Sequence, residues 1–195
     1  MILPIVAYGD PVLRKKTATI QKGEDVQPLI DDMFETMYSA SGIGLAAPQV
    51  GKPLRLFIVD TATAIKHFEE DTEVENPFKG EVGIKRIFIN ARALDKDGTP
   101  WNYNEGCLSI PKIREDIERP AEITLEYQDE NFKTHRETFK GLAGRVIQHE
   151  FDHIEGVLFI DYLKPLKKRI LKKKLENISR GKVEVDYKMK FPLKK

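Results

Sequence analysis

His149 and His153 stand four positions apart in Gln148-His149-Glu150-Phe151-Asp152-His153, and this spacing constrains the fold more than any other feature of the chain. Two imidazoles so spaced reach a common point only if the segment is a helix, which puts both on one face with Glu150 beside the point they define. That is the outline of a hydrolytic metal site, with two ligands for a divalent ion and a carboxylate able to act on water. The pattern also occurs by chance on surface helices, so the third ligand matters. A zinc protease would take a further His or Glu from downstream, and none is placed convincingly here. The chain's one cysteine, Cys107 within Glu105-Gly106-Cys107-Leu108-Ser109, is the better candidate.

A chain of 195 residues most simply folds around one sizeable core, burying roughly 70% of its unfolded surface. Its apolar runs, such as Leu56 to Val59 and Val157 to Ile160, fall far short of the roughly 18 residues a membrane helix needs. The start lacks a positive segment and a cleavage site, so no secretory signal is expected. A single cysteine permits no disulfide framework and favours a reducing cytoplasm. Neither a membrane nor DNA is expected as a partner.

The formal net charge of +1 hides an asymmetry: residues 164–195 carry 13 Lys/Arg against 3 Asp/Glu, leaving 19 against 28 in residues 1–163. We therefore divide the chain into a body, 1–163, and a basic C-terminal helix and tail, 164–195. Pro165 suits a first helical turn, and Leu166, Ile170, Leu171, Leu175 and Ile178 form an apolar stripe beside Lys167, Lys168, Arg169, Lys172, Lys173 and Lys174. The plain reading of this charge run is a solvated helix face. The sharper one is contact with RNA or another polyanion.

Within the body, Val26, Leu29, Ile30, Met33, Phe34 and Met37 recur at helical spacing, and the pattern stops at Ser41-Gly42, which reads as a C-terminal cap. Residues 54–60 and 86–90 read as short buried strands. The polar, acidic stretch 61–85 between them is long for a connection, and reads as an insertion or a functional loop. Residues 121–128 and 134–140 alternate around Asp129-Glu130-Asn131, the pattern of an antiparallel hairpin. Gly141 then opens the HExxH helix. The expected fold is α+β, with antiparallel sheets of short strands around a central helix that carries HExxH.

Residues 42–49, Gly-Ile-Gly-Leu-Ala-Ala-Pro-Gln, follow the first helix and are apolar except for Gln49. They match no phosphate-binding loop, and a glycine-rich turn packed on the core accounts for their composition. With this segment in view, however, the chain resembles the peptide deformylases. That family carries the motifs GxGxAAxQ, EGCxS and QHExDH, the last in the looser form HExxH, and they stand here in order at 42–49, 105–109 and 148–153. Tyr8 to Arg14, Ile110-Pro111 and Arg114 also look like the family, so the resemblance covers residues 1 to about 163.

The resemblance implies hydrolysis of the formyl group from the N-terminal formyl-methionine of nascent polypeptides, with release of formate. N-formylmethionyl peptides are then the substrate, and the ribosome is a candidate partner for the basic C-terminal helix. Cys107, His149 and His153 are the implied metal ligands, with Glu150 as general base and Gln49 and the Leu108 N–H as donors to the oxyanion. Two imidazoles and a thiolate suit zinc by softness. The family resembles a ferrous enzyme, so Fe2+ is the expected ion, with Zn2+ or another divalent ion able to substitute. The implied methionine pocket comprises Ile43, Gly44, Tyr103, Leu142, Arg145 and Val146. Arg145 is expected to pack by its stem and turn its head to the mouth, and for Leu142 and Val146 ordinary core is an equal reading. Gly42 and Gly44 offer conformational freedom and close approach of a substrate backbone. Glu105, Asp152, Arg114 and Arg119 are expected in supporting ion pairs, and His67 and His135 outside the site.

Two rivals follow from parts of this pattern. HExxH alone favours a general metallopeptidase with a ligand other than Cys107. The basic tail favours a ribosome- or RNA-binding module with a structural metal, for which Glu150 and Gln49 would have no use.

Overall fold

The computed structural model describes residues 1–70 and 77–193. Its elements in order are strand β1 (Ile5–Val6), helix α1 (Gln27–Ser39), strands β2 (Gly44–Ala46) and β3 (Leu56–Asp60), helix α2 (Ala62–Glu70), strands β4 (Lys85–Asp97), β5 (Trp101–Cys107), β6 (Ile110–Arg119), β7 (Glu122–Gln128) and β8 (Thr134–Lys140), helices α3 (Gly141–Ile154) and α4 (Pro165–Ser179), and strand β9 (Met189–Lys190). Strands β2-β3-β4-β7-β8 form an antiparallel sheet, β5-β6 an antiparallel hairpin, and β1-β9 a short parallel pair. The α+β class with its antiparallel sheets is as expected, and so is the hairpin of β7 and β8, in which Ile123, Leu125 and Tyr127 all face the core.

Strand β3 shows how the sheet sets the frame. All five of its residues are buried, because the period-2 alternation sends Phe57 and Val59 to the core shared with α3, and Leu56 and Ile58 to the core shared with α1. A strand sandwiched between two helices needs apolar residues on both faces, and Leu-Phe-Ile-Val supplies them. A third apolar cluster lies behind the β5-β6 hairpin, where Ile110, Ile113 and Ile117 meet Leu171, Leu175 and Ile178 of α4.

Two local expectations need correction, and the end of α1 gains detail. The stretch 61–85 is not a plain loop: its described part holds α2, opened by a bond from Ala62 N–H to Asp60 Oδ1 (3.1 Å). Ile65 and Phe68, three apart, turn its apolar side to Phe78 and the core; residues 71–76 of the expected loop lie outside the described residues. The end of α1 is closed at Ser41-Gly42 as expected, with Ser41 in the left-handed region (φ +54°), Ser41 N–H to Tyr38 O (3.0 Å) and Gly42 N–H to Met37 O (2.9 Å). The expected apolar stripe of α4 splits, since Leu171, Leu175 and Ile178 are buried whereas Leu166 (71% exposed) and Ile170 (62%) face outward. Positions 166 and 170 lie on a different part of the helix surface from 171, 175 and 178.

Candidate metal centre and active site

Helix α3 crosses the body against β2, β3, β7 and β8 and delivers His149 and His153 from one face, their rings 5.1 Å apart and roughly perpendicular. Its first turn is held from the α2 region, where Glu81 Oε2 accepts from Leu142 N–H (2.9 Å) in place of a capping side chain at Lys140. Cys107 arrives from the end of β5, just before the two-residue tip Leu108-Ser109 of the β5-β6 hairpin. Cys107 Sγ stands 3.3 Å from His153 Nε2, and one donor atom from each of Cys107, His149 and His153 lies within 4.8 Å of the others. Ligand bonds of about 2.0 to 2.3 Å in a tetrahedron put donors roughly 3.3 to 3.8 Å apart, so this thiol-and-imidazole set fits one divalent ion.

The charges around the two histidines are arranged differently. Burial, reinforced by His149, holds the pKa of His153 well below the usual imidazole value, which keeps the ring neutral. Burial acts in the same sense on His149, but contacts with Cys107 and Glu105 overcome it and raise its pKa well above the usual value. The bond from His149 Nδ1 to Glu105 Oε2 (3.0 Å) also fixes the ring's orientation and leaves Nε2 for the centre.

Glu105 is the anchor of that arrangement. Buried to 4% exposure, it accepts from Arg119 Nε (2.7 Å) and Nη2 (3.0 Å) and from Arg145 Nη1 (3.2 Å) as well as from His149. Burial pushes its pKa up, but the bonds from His149 and Arg119 win and bring it down to about 2. Arg119 continues through Nη1 to Asp152 Oδ2 (2.6 Å), which also accepts from Tyr162 Oη (2.9 Å). Three of the four expected supporting residues thus form one network. Arg114 instead binds Asn104 through its side chain (2.9 Å) and its carbonyl (2.5 Å).

Glu150 is buried against β2. A Cβ built on Gly44 would lie 2.5 Å from Glu150 Oε1 and 2.8 Å from its Cγ, so the glycine is needed to make room for the carboxylate. At Gly42 the neighbour is Leu108, with Cδ1 2.8 Å from a built Cβ. In both places the close approach is made by the protein's own side chains, which a reading in terms of substrate backbone alone leaves out. Burial raises the Glu150 pKa to about 7, and its Oε2 has no hydrogen-bond partner. Gln49, 1% exposed, has its amide orientation set by Ala46 N–H, which donates to Oε1 (2.8 Å). Its Nε2 therefore points at Cys107 Sγ (3.5 Å) and Ser109 Oγ (3.4 Å).

These groups open onto a cavity of about 430 Å³. Of the residues expected at a substrate pocket, Ile43, Gly44, Tyr103, Arg145 and Val146 line it, and so do Gln49, Cys107, Leu108, His149 and Glu150. Two expectations change. Leu142 is fully buried in the core behind the cavity and does not line it. Arg145 is only 2% exposed, and its guanidinium is not at the mouth: it stacks 4.1 Å over the Trp101 ring and binds Glu105, Ile117 O (3.1 Å) and Trp101 O (2.6 Å). A charge so buried is stable only with such partners. His67 is exposed and His135 pairs with Asp129 (2.7 Å). The sequence reading missed Val185, Asp186 and Tyr187 of the C-terminal segment, which also line the cavity.

Two imidazoles and a thiol converging beside a buried carboxylate, on the wall of a cleft, define a metal-dependent hydrolase. A family profile described as polypeptide deformylase matches residues 2–169. The chain is 53% identical over 194 residues to a peptide deformylase of Christiangramia forsetii, covering 98% of this chain and 97% of that one. It is 52% identical to a peptide deformylase of Flavobacterium psychrophilum, covering 100% of each. The crystal structure of a peptide deformylase from Legionella pneumophila superposes with a TM-score of 0.76 at 33% identity, over 93% of this chain and 98% of that one; that of the Thermus thermophilus enzyme gives 0.77 at 33%, over 91% and 98%. The chain belongs to the peptide deformylase family, metal-dependent hydrolases that remove formyl groups from the N-termini of nascent polypeptides. Among the described residues no helix is long and apolar enough to cross a membrane.

Proposed function

We propose that Cys107, His149 and His153 hold one divalent ion, Fe2+ in the cell with Zn2+ able to replace it, and that the cleft hydrolyses the formyl group of N-formylmethionyl peptides to formate in the cytoplasm. The observation that carries this reading is the convergence of the three donor atoms within 4.8 Å of one another on the cleft that Glu150 and Gln49 also reach. When bound, the ion supplies a Lewis acid for the formyl oxygen and makes water nucleophilic near neutral pH.

The remaining work falls to the chain. Glu150 takes a proton from the attacking water and returns it to the departing amine, a role suited to a carboxyl whose burial brings its pKa to about 7. Gln49 Nε2, already aimed into the site by the bond from Ala46, and the Leu108 N–H donate to the formyl oxygen as it gains charge. Donors fixed before the reaction need no reorganisation during it. Ile43, Tyr103 and Val146 bound the methionine side chain, and Gly44 leaves space for Glu150. Arg145 acts through Glu105 instead of touching substrate.

All the residues to which we assign chemistry lie in 1–163; we assign to the basic segment 164–195 a further role in holding the enzyme at the ribosome. The support is the exposure of the lysines of α4 while its buried side docks on the body. The test is metal analysis of anaerobically purified protein together with formate release from a formyl-Met peptide. One equivalent of metal with stoichiometric formate supports the reading. Cleavage of internal peptide bonds without formate would refute it.

A further inference from the structure

Residues 182–191 alternate with the period of an extended strand: Val183, Val185, Tyr187, Met189 and Phe191 turn inward while Lys182, Glu184, Asp186, Lys188 and Lys190 are exposed. Val183, Met189 and Phe191 pack on the same apolar cluster as Cys107. The backbone is tied as well, by Ile5 N–H to Lys188 O (2.8 Å) and Ala7 N–H to Lys190 O (2.9 Å). The next donor along that N-terminal strand, Tyr8 N–H, reaches Ser109 O (2.8 Å) in the hairpin tip. One N-terminal stretch therefore clamps both the C-terminal segment and the Leu108-Ser109 tip. The segment closes the circuit itself, because Tyr187 Oη donates to Leu108 O (2.8 Å).

We propose that this returning C-terminal segment is a working wall of the substrate cleft, with Tyr187 positioning Leu108 and Asp186 selecting among the peptide residues that follow the methionine. The inference rests on the deformylase reading of the cleft. Leu108 is held through its carbonyl by Tyr187 and its neighbour Ser109 through its carbonyl by Tyr8, so the tip that carries the Leu108 N–H is fixed from two sides. A peptide whose first side chain lies between Ile43 and Val146 must leave along the rim. There Asp186 lies on the C-terminal side of the cavity and Lys112 and Arg114 on the β6 side. All three charges are exposed, so the rim carries both signs, with Arg114 hydrogen-bonded to Asn104 and Asp186 as the carboxylate that faces the two cations across the cleft mouth. A carboxylate at that rim favours a basic substrate residue over an acidic one by Coulomb attraction.

The experiment compares formyl-Met-Ala-Lys with formyl-Met-Ala-Glu on the full-length wild type, Asp186→Asn and Tyr187→Phe, each checked for metal content and melting temperature. Asp186→Asn is expected to lower the Lys-to-Glu ratio of kcat/KM by about two- to five-fold, the range for a solvent-exposed charge pair, through KM. Tyr187→Phe keeps the ring in the wall and removes only the bond to Leu108. It is expected to lower kcat about tenfold on both peptides with KM little changed, as a loosened donor requires. Calorimetric affinities for the deformylated products Met-Ala-Lys and Met-Ala-Glu give a readout apart from turnover and should show the same Asp186 dependence. Formate release with both variants matching wild type overturns the wall while leaving the deformylase reading intact. Product binding that depends on Asp186 without formate release from any form does the opposite.

Discussion

Helices α3 and α4 are nearly equal in length, 14 and 15 residues, yet α3 buries 12 of its residues and α4 only four, Leu171, Leu175, Ile178 and Ser179. The surface helix largely obeys the familiar rule that one apolar stripe faces the body and charges take most of the rest, with Leu166 and Ile170 as its outward-facing exceptions. The inner helix breaks it, since Arg145, Gln148, His149, Glu150, Asp152 and His153 are all buried. Buried polar groups are costly unless bonded, and most of these are: Arg145 and His149 to Glu105, Asp152 to Arg119, Gln148 Nε2 to Pro120 O (3.0 Å). The described side-chain atoms that are buried without a partner are Arg145 Nε, Glu150 Oε2 and His153 Nδ1. Two of the three thus belong to residues to which we assign metal binding and proton transfer. Where a helix must present chemistry, its polar residues follow the site and not the solvent.

The largest effect should come from the least satisfied of these groups. Glu150→Gln preserves shape but cannot accept a proton, so kcat is expected to fall by about 10² to 10⁴, with metal content retained. Stability should change little, because the near-isosteric amide removes a buried charge but leaves an unpartnered polar atom in the same place. Formate release and metal analysis on one preparation check both halves, and turnover within tenfold of wild type would take Glu150 out of the base role.

Next in size is the network beneath the site. Glu105→Ala strips Arg119, Arg145 and His149 of a shared partner and leaves two buried guanidinium groups short of a counter-charge. Breaking a buried pair in this way costs about 3 to 5 kcal/mol, readable as a lowered urea midpoint. Metal affinity should fall by about 10- to 100-fold, because the orienting bond to His149 is lost with it. A stability loss with unaltered metal affinity would make Glu105 a structural anchor only.

A smaller change isolates position from chemistry. Gly44→Ala adds one methyl group, 2.5 Å from Glu150 Oε1, in a strand whose residues are all buried. Either the carboxylate or β2 has to shift, and a displacement of that order is expected to lower kcat by roughly ten- to a hundred-fold. A crystal structure of the variant with Glu150 unmoved and wild-type turnover would show that the site tolerates the methyl group.

The contrast between the helices also marks what the sequence could disclose. The HExxH spacing with the two upstream motifs was enough to bring Cys107, Gln49, His149, Glu150 and His153 together, because each motif is local and their order survives folding. The α3 helix was legible from the motif even though its polar residues blur any stripe. Arg145 lines the cavity as expected, but its head was misplaced, and of the two readings open for Leu142 the core one holds, because helical spacing gives a face but not what covers it: Leu142 joins the core while the Arg145 guanidinium finds Glu105 on another element. Helix α2 was hidden by acidic residues around a stripe of only Ile65 and Phe68. The C-terminal wall was hidden by its lysines. Val183, Val185, Tyr187 and Met189 alternate visibly once charge is set aside, but which strand receives them is a long-range fact that only the pairing of β9 with β1 supplies.

The smallest folding effect should lie on α4, and it sharpens the comparison from the other side. Lys168, Lys172 and Lys173 are exposed, whereas Leu171 and Leu175 beside them are buried. Replacing the three lysines by glutamine keeps helix propensity nearly constant and removes no buried group, so stability should stay within about 0.5 kcal/mol. If this ridge meets the phosphate-rich surface of the ribosome, the loss of three cations lowers co-sedimentation and flattens its salt dependence, with the slope of log affinity against log salt reduced by roughly one for each phosphate no longer neutralised. Deleting the whole segment would confuse the issue, because α4 contributes Leu171, Leu175 and Ile178 to the core and the chain beyond it reaches the cleft. The triple variant leaves those side chains in place. Ribosome binding with the wild-type salt slope would reduce α4 to a solvated covering helix, and a large drop in melting temperature would mean that the lysine stems contribute packing the exposed ridge does not suggest.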